Sequence, residues 1–522
     1  MRQRALLKLG PFLSLAALVI VSAALSLQLK TFAAGPRSVK ALVASEFKPV
    51  LTPQNQGPAP RTGRLMVLAK GPVTDAMLAQ FRNYGTVHGV IQRYNIVAVT
   101  PRGPSGRLAI QGLPFVAKVE ADQVRSLTDV GSWDRDLIDV VDVEESGVVG
   151  DPDPREVTQT GAGVHVAVID TGLIKAWRNF FDPSRVRTDL ARAFMGGGAV
   201  AEDFVPPDEF NTSNPTNLWE RDTNSHGTAV ASHIIGFKVG STVVDGVAPG
   251  AKIIPLKVFP NGEAFTWSSR IIAAFAYATE LKENGLSPMV VSMSIGGSAP
   301  TFLERVAIDD AIDAGVVVVV SAGNEGEQGM GWPGAYPEVI SAGAVGWISQ
   351  FQPGSPAAPN FSFWWNLDVP NDPDGKGPSE ETQAYVADFS SRAIPALGAQ
   401  FGTDPQELDV LAPGVWTVAP GSKGATPGYY YWSGTSFSTP LTAGVAALML
   451  EKDPTLTQIT VEGILKSTAL PMASTGIRTG VLEPFLYGTY FDPSWDDDCN
   501  GTPCDPVGAG LVQADAALAA IP

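Results

Sequence analysis

Cysteine and histidine are scarce in this chain, which has 522 residues but only two cysteines and four histidines. Two thiols are too few for a fold that depends on a network of disulfides. No histidine lies close in sequence to Cys499 or Cys504, which argues against a metal site built from thiolate and imidazole ligands. Small disulfide-rich and zinc-dependent folds are therefore set aside.

Positive charge is also in short supply, with 36 Lys and Arg against 53 Asp and Glu, a net charge of −17. Proteins that bind nucleic acid need clusters of Lys and Arg, so we predict no nucleic-acid partner. The shortage of positive charge is unevenly distributed along the chain. Residues 35–126 hold twelve basic and four acidic side chains, whereas residues from 127 onward hold twenty and forty-nine. A basic segment beside an acidic one can dock by complementary charge.

No Walker A, Gly-x-Gly-x-x-Gly or Gly-x-Ser-x-Gly motif stands in a supporting context, which argues against nucleotide binding and a lipase-type hydrolase. One long apolar run is present, about 19 residues from Pro11 to Leu29, preceded by Arg2, Arg4 and Lys8. This pattern predicts a signal peptide over residues 1–34, with an uncleaved membrane anchor as the alternative. In both cases the rest of the chain works outside the cytoplasm.

The remaining chain divides by composition and periodicity into four predicted segments. Residues 35–62 are rich in Pro, Gly and Gln and form a linker. Residues 63–126 follow a β-α-β-β-α-β order, which predicts a small ferredoxin-like α+β unit. Residues 127–155 are acidic, with Gly and Pro breaks, and are predicted to be a second linker in which processing occurs. Residues 156–522 form the main α/β domain.

Near-continuous runs of β-branched residues alternate with helical stretches in the main domain. Strands of this composition are typical of a mainly parallel sheet that is covered by helices on both faces. The predicted strands are Val164–Asp170, Lys252–Phe259, Met289–Ile295, Val316–Ser321 and Val339–Val345.

Four polar residues stand where such strands end or where the following helices begin: Asp170, His226, Asn324 and Ser436. In open parallel sheets, functional groups gather at the carboxyl ends of the strands. Each residue alone has an ordinary structural explanation, as a turn residue or a helix cap. Jointly they supply an acid, a base, an amide donor and a nucleophile, in the chain order Asp, His, Ser found in subtilisin.

The motifs around these residues make the chain resemble a subtilisin-like serine protease (the subtilase family) from about residue 160 to the C-terminus. The resemblance implies a three-layer α/β fold and the activity of a serine endopeptidase. By this resemblance Ser436 would be the nucleophile, His226 the base, Asp170 the acid that orients His226, and Asn324 the oxyanion-hole donor. The motifs that carry it are Val168-Ile169-Asp170-Thr171-Gly172, His226-Gly227-Thr228, Met293-Ser294-Ile295-Gly296-Gly297, Ala322-Gly323-Asn324-Glu325-Gly326 and Gly434-Thr435-Ser436-Phe437-Ser438-Thr439-Pro440.

The resemblance also implies how substrates and inhibitors bind. An extended protein or peptide substrate would pair with an exposed edge, and residues 63–126 resemble the family's inhibitory propeptide, which is removed by self-cleavage. We expect a monomer that needs no cofactor for catalysis. The implied substrate-binding residues are Ser294, Ile295, Gly296, Gly297, Gly331 and Trp332.

Two further predictions concern the C-terminal region. Cys499 and Cys504 are five residues apart in an exported chain, and we expect them to form a local disulfide. The acidic loop with Asp496 and Asp498 is a candidate calcium site, the alternative being a solvated acidic turn.

Two other functions stay open at this point. The first is a non-catalytic binding protein on a protease fold, against which the complete set of catalytic residue types speaks. The second is an acid-active sedolisin relative, whose base would be a Glu, and His226 speaks against it.

Overall fold

The computed structural model describes residues 65–91, 95–121, 133–141, 155–194, 218–240, 242–261, 265–266, 268–347, 384–423, 426–477 and 494–522. The predicted signal segment and first linker lie outside these residues. Among the described residues, no helix is both long and apolar enough to cross a membrane.

Residues 65–121 form a small unit with the predicted β-α-β-β-α-β order. Its antiparallel sheet has the strand order β2-β3-β1-β4. The buried Phe81, Val97, Val99 and Ile110 belong to a core cluster that is separate from that of the main domain. The elements are β1 (Leu65–Ala69), α1 (Asp75–Tyr84), β2 (Gly85–Ile91), β3 (Ile96–Pro101), α2 (Gly103–Gln111) and β4 (Val116–Ala121).

An eight-stranded sheet organises the main domain. Its strand order is β13-β12-β11-β10-β5-β9-β6, with β14 also paired to β12. All pairs are parallel except β12 with β13. The strands are β5 (His165–Asp170), β6 (Arg192–Ala193), β9 (Lys252–Lys257), β10 (Met289–Met293), β11 (Val317–Ser321), β12 (Ile340–Trp347), β13 (Ala384–Val386) and β14 (Val410–Pro413).

Helices cover this sheet in two groups, which explains why β10, β11 and β12 are buried along their whole length. Helix α8 lies against β10, β11, β12 and β14 and contacts both α4 and α10. Helices α5 and α6 pack together as a second group. The predicted three-layer α/β class with a mainly parallel sheet is confirmed. The helices are α3 (Trp133–Asp136), α4 (His226–Ile235), α5 (Ser268–Glu283), α6 (Phe302–Asp313), α7 (Pro395–Phe401), α8 (Thr435–Lys452), α9 (Gln458–Thr468) and α10 (Ala514–Ala519).

Short two-stranded sheets decorate the domain. The longest is a hairpin that leads directly into α8, and periodicity did not predict it. The strands are β7 (Phe237–Val239), β8 (Thr242–Val244), β15 (Thr417–Lys423), β16 (Thr426–Trp432), β17 (Gly476–Ile477), β18 (Ser494–Trp495), β19 (Asp498–Cys499) and β20 (Thr502–Pro503).

The segment 133–141 corrects one predicted boundary. We assigned it to the processing linker 127–155, but Trp133, Leu137 and Ile138 are buried in the core cluster of the main domain. The carbonyl oxygen of Ile138 also accepts a hydrogen bond from the backbone N–H of Ala514, at 2.9 Å. Because these apolar side chains fill the main core, the segment is part of that domain and not a linker.

Candidate active site

The strand and helix ends bring the candidate side chains to one edge of the sheet. Asp170 is the last residue of β5, and Ser294 follows β10 directly. Asn324 lies just beyond the end of β11, while His226 and Ser436 occupy the first turns of α4 and α8. Parallel strands end at the same edge, so side chains far apart in sequence meet there.

Asp170 and His226 form the central contact. His226 Nδ1 lies 2.9 Å from both carboxylate oxygens of Asp170, and both side chains are buried. The approach depends on Gly227, because a Cβ there would lie 2.4 Å from the carbonyl oxygen of Gly172 and 3.0 Å from Asp170 Oδ1. Asp170 thus holds the imidazole through Nδ1, and Nε2 is the nitrogen that can exchange a proton with a reacting group.

The surroundings of His226 favour its protonated form. Burial by itself lowers the pKa of the imidazole, but the charge of Asp170, its hydrogen bond and the charge of Asp222 together raise that pKa above its usual value. The site therefore stabilises the imidazolium that forms when His226 accepts a proton.

Ser436 is half-buried in the first turn of α8. The ring of Phe437, the following residue, lies 5.6 Å from the His226 ring, measured between centroids. The backbone carbonyl of Ser436 accepts a hydrogen bond of 2.8 Å from Ser294 Oγ. The turn requires Gly434, whose φ of +144° is one that other residues rarely adopt.

Asn324 has the arrangement that an oxyanion donor needs. Its Oδ1 accepts hydrogen bonds from the backbone N–H of Thr435 at 2.9 Å and from Thr435 Oγ1 at 3.1 Å, so its Nδ2 is directed elsewhere. A Cβ on Gly434 would lie 3.5 Å from Asn324 Nδ2 and 3.7 Å from the backbone nitrogen of Ser436. The Asn324 side-chain amide and the backbone nitrogen of Ser436 therefore both lie close to Gly434.

We expect Asn324→Ala to lower kcat by about 100- to 1000-fold with little change in KM, because the donor acts on charge that develops only in the transition state. Steady-state rates on a peptide substrate measure both constants. Asn284→Ala is the matched control, since Asn284 is an exposed residue just after α5 and should leave both constants unchanged. An equal rise in KM with unchanged kcat for Asn324→Ala would contradict this role.

The candidate substrate edge continues beyond β10. Gly297 and Trp332 exchange backbone hydrogen bonds of 2.8 and 2.9 Å, which joins the segment after β10 to the Gly331–Trp332 turn. Gly296 and Gly297 are exposed, and a Cβ on either would meet nothing closer than 3.9 Å. Ser294, Ile295, Gly296, Gly297, Gly331 and Trp332 thus lie in one continuous region that starts next to Ser436.

Cys499 and Cys504 form a disulfide across the hairpin of β19 and β20. The pair is buried together with Ile394 and packs against Leu397, at the start of α7. The bond therefore closes the hairpin itself, and the contacts with Ile394 and Leu397 attach the hairpin to the rest of the domain.

The predicted calcium ligands do not fit a calcium site. Asp496 Oδ1 accepts a hydrogen bond from the backbone N–H of Asp498 and lies 3.4 Å from Arg392 Nη1. Asp498 Oδ1 accepts from the backbone N–H of Gly501 at 2.7 Å. Within the described ranges, no group of three or more His, Cys, Asp or Glu side chains could hold a metal ion. Calcium needs more oxygen ligands than these two carboxylates present, and an arginine beside one of them opposes a cation.

Sequence reasoning missed two charged residues next to the candidate triad, Asp222 and Lys257, both buried. A signal was available for each. Lys257 closes strand β9 after four apolar residues, and Asp222 stands four residues before His226. A charged side chain in either context needs a partner when it is buried.

The chain is similar in sequence to known proteins. A family model described as the Subtilase family (Peptidase_S8) matches residues 161–496. Subtilisin DY of Bacillus licheniformis is 31% identical over 334 residues, which cover 63% of this chain and 88% of that protein. Subtilisin E of Bacillus subtilis (strain 168) is 32% identical over 316 residues, 59% of this chain and 61% of that protein. Among solved structures, S41 psychrophilic protease matches with a TM-score of 0.49 and 22% identity, over 75% of this chain and 99% of that one.

Proposed function

Because this chain belongs to the subtilase family, we propose that Asp170, His226 and Ser436 are its catalytic triad and that it cleaves proteins through an acyl-enzyme intermediate. The chain is a serine endopeptidase of the subtilisin type. The observation that carries the residue assignment is the buried contact between His226 Nδ1 and both oxygens of Asp170, with Phe437, the residue after Ser436, packed against the His226 ring.

Each residue then has one task. His226 removes the proton from Ser436 Oγ as the oxygen attacks the substrate carbonyl carbon, and it later gives that proton to the leaving amine. Asp170 holds the imidazole in position and stabilises its charged form. The Asn324 amide and the backbone N–H of Ser436 donate hydrogen bonds to the oxyanion, and a water then releases the acyl group by the same steps in reverse.

The substrate is bound as an extended strand along the edge at Ser294–Gly297. Exposed backbone groups there can pair with a substrate backbone, and the neighbouring Gly331–Trp332 turn forms one wall of the pocket next to it. No step in this mechanism needs a cofactor.

We further propose that the chain is made as an exported zymogen in which the unit 65–121 is the inhibitory propeptide. Its basic charge, set against the acidic main domain, supports docking by complementarity. Since Trp133–Val141 belongs to the main core, self-cleavage between Ala121 and Trp133 would remove the propeptide and leave that core intact. The mature enzyme then begins before Trp133, earlier than the sequence boundary at 155.

A fluorophosphonate probe tests this proposal, because it reacts with serines that a neighbouring base activates. We expect the secreted chain to give a shortened, labelled band, with the adduct located on the Ser436 peptide by mass spectrometry and an N-terminus before Trp133. A chain that stays unlabelled after a trace of active protease has removed the small unit would instead be a binding protein on this fold.

A further inference from the structure

Asp222 is a buried carboxylate outside the triad. Its Oδ2 accepts hydrogen bonds from Thr171 Oγ1 at 2.9 Å and from the backbone N–H of Ser225 at 2.7 Å. Its Oδ1 accepts from the backbone N–H of Asn224 at 2.8 Å. All of these partners are donors. The Thr171 hydroxyl donates its proton to Asp222, and its oxygen accepts a hydrogen bond from the backbone N–H of Gly227. Burial raises the pKa of Asp222, and the charge of Lys257 and the hydrogen bonds from Asn224 and Thr171 act against that rise by stabilising the ionised carboxylate.

These bonds join the two segments that carry Asp170 and His226. Thr171 follows Asp170 and donates its backbone N–H to Asp170 Oδ1 at 2.6 Å. Ser225 precedes His226 and has a φ of +79°, in the left-handed region that costs energy for a residue with a side chain. Asp222 therefore secures a strained turn immediately before the catalytic base and ties it to the residue after the catalytic acid.

Lys257 brings the opposite charge to the same place. It lies beside Asp170 in the register of β5 and β9, and its Nζ donates to the carbonyl oxygen of Thr171. The side chain is only 1% exposed. Burial lowers the pKa of Lys257, while the charges of Asp222 and Asp170 act to raise it. Two buried charges of opposite sign thus lie against Thr171, the residue that follows Asp170.

We propose that Asp222 and Lys257 are positioning residues of the triad, which hold the Asp170 segment against the start of α4 and set the charge around the His226 ring. The inference rests on the proposed triad. Both residues would then affect the geometry and the charge of the triad, and not only the packing of the core.

The groups that face His226 in the described part of the chain fit this assignment. Asp170 on β5 is its direct partner, and Asp222 and Lys257 lie behind that contact. His233, further along α4, also packs against Phe437, and burial and the charge of Arg135 lower the pKa of His233 to about 4. His233 is therefore neutral over the range in which His226 titrates, so Asp222 and Lys257 are the charges to vary.

The test is the pH dependence of fluorophosphonate labelling of the full chain, matured with immobilised wild-type enzyme that is then removed. Loss of a negative charge lowers the pKa of a nearby imidazole, and loss of a positive charge raises it. We expect the acid limb of the rate profile to move down by about 0.5–1 pH unit in Asp222→Asn and up by a similar amount in Lys257→Met. The double variant should return close to the wild-type limb.

Asp222→Glu separates charge from geometry. It keeps the carboxylate but displaces the hydrogen bonds, so the labelling rate should fall about tenfold or more across the profile while the acid limb stays in place. If both single variants keep the wild-type limb, or if both shift it in the same direction, the inference is wrong. Should Lys257→Met fail to fold, Asp222→Asn compared with Asp222→Glu decides the matter. A wild type that never labels on Ser436 would instead overturn the proposed triad.

Discussion

Ser436→Ala should reduce peptide-bond cleavage by about 10⁶-fold, the size of effect that removal of the nucleophile has in a subtilisin. The reason is that the proposed acyl-enzyme route needs the Ser436 hydroxyl, and without it only the oxyanion donors and substrate binding remain. In the proposed exported zymogen the small unit is removed by self-cleavage, so the same change should leave the chain at full length. Turnover of a peptide substrate and the mass of the secreted chain measure the two effects.

Ser438→Ala is the matched control on the same helix. Ser438 is buried, and its Oγ donates to the carbonyl oxygen of Ala412 at 2.9 Å. Its loss should lower the free energy of unfolding by about 1 kcal/mol while leaving cleavage and processing close to wild type. Comparable activity in the two variants would show that Ser436 is not the nucleophile.

The positions of the proposed catalytic residues followed from the sequence because a general rule places them. Near-continuous apolar strands predicted a parallel sheet, and such strands end together at one edge. Asp170 and Asn324 stand at the ends of such strands, and His226 and Ser436 at the starts of helices. The rule therefore places Asp170 and Asn324 from the strand assignments alone, whereas the motifs around His226 and Ser436 indicated these two residues, because the hairpin before α8 was not predicted.

Asp222 and Lys257 could not be placed in the same way. Whether a charged side chain is buried depends on the partner that neutralises it, and these two residues are 35 positions apart in the chain. They meet because the segment before α4 and the end of β9 both adjoin β5. Periodicity along one segment carries no information about such a contact.

The segment 133–141 was misassigned for a related reason. Its acidic residues suggested solvent exposure, but Asp134 is buried beside Arg135 Nη1 at 2.6 Å. A carboxylate so paired can accompany Trp133 and Leu137 into the core. Acidic composition therefore gave the wrong assignment, because the pairing of the charges, and not their number, decides whether such a segment is buried or exposed.

Asp170→Asn should lower kcat/KM by about 10⁴-fold while the protein still folds, because the amide cannot both hold the reactive tautomer of His226 and stabilise its charged form. The substitution also removes a charge and a hydrogen bond that raise the pKa of His226. His226 would then lose its proton at lower pH. The residual activity should accordingly have its acid limb at lower pH than the wild type, which rates measured across pH 5–9 would reveal.

Asp409→Asn provides the comparison that separates this role from burial alone. Asp409 is also buried and accepts hydrogen bonds from the backbone N–H and Oγ of Ser341, both at 2.8 Å. It precedes β14, at the amino ends of the parallel strands, whereas the candidate site lies at their carboxyl ends. Its replacement should lower stability without moving the pH profile. If Asp170→Asn behaves in the same way, with activity within tenfold of wild type and an unshifted limb, Asp170 is a structural residue and the triad must be reassigned.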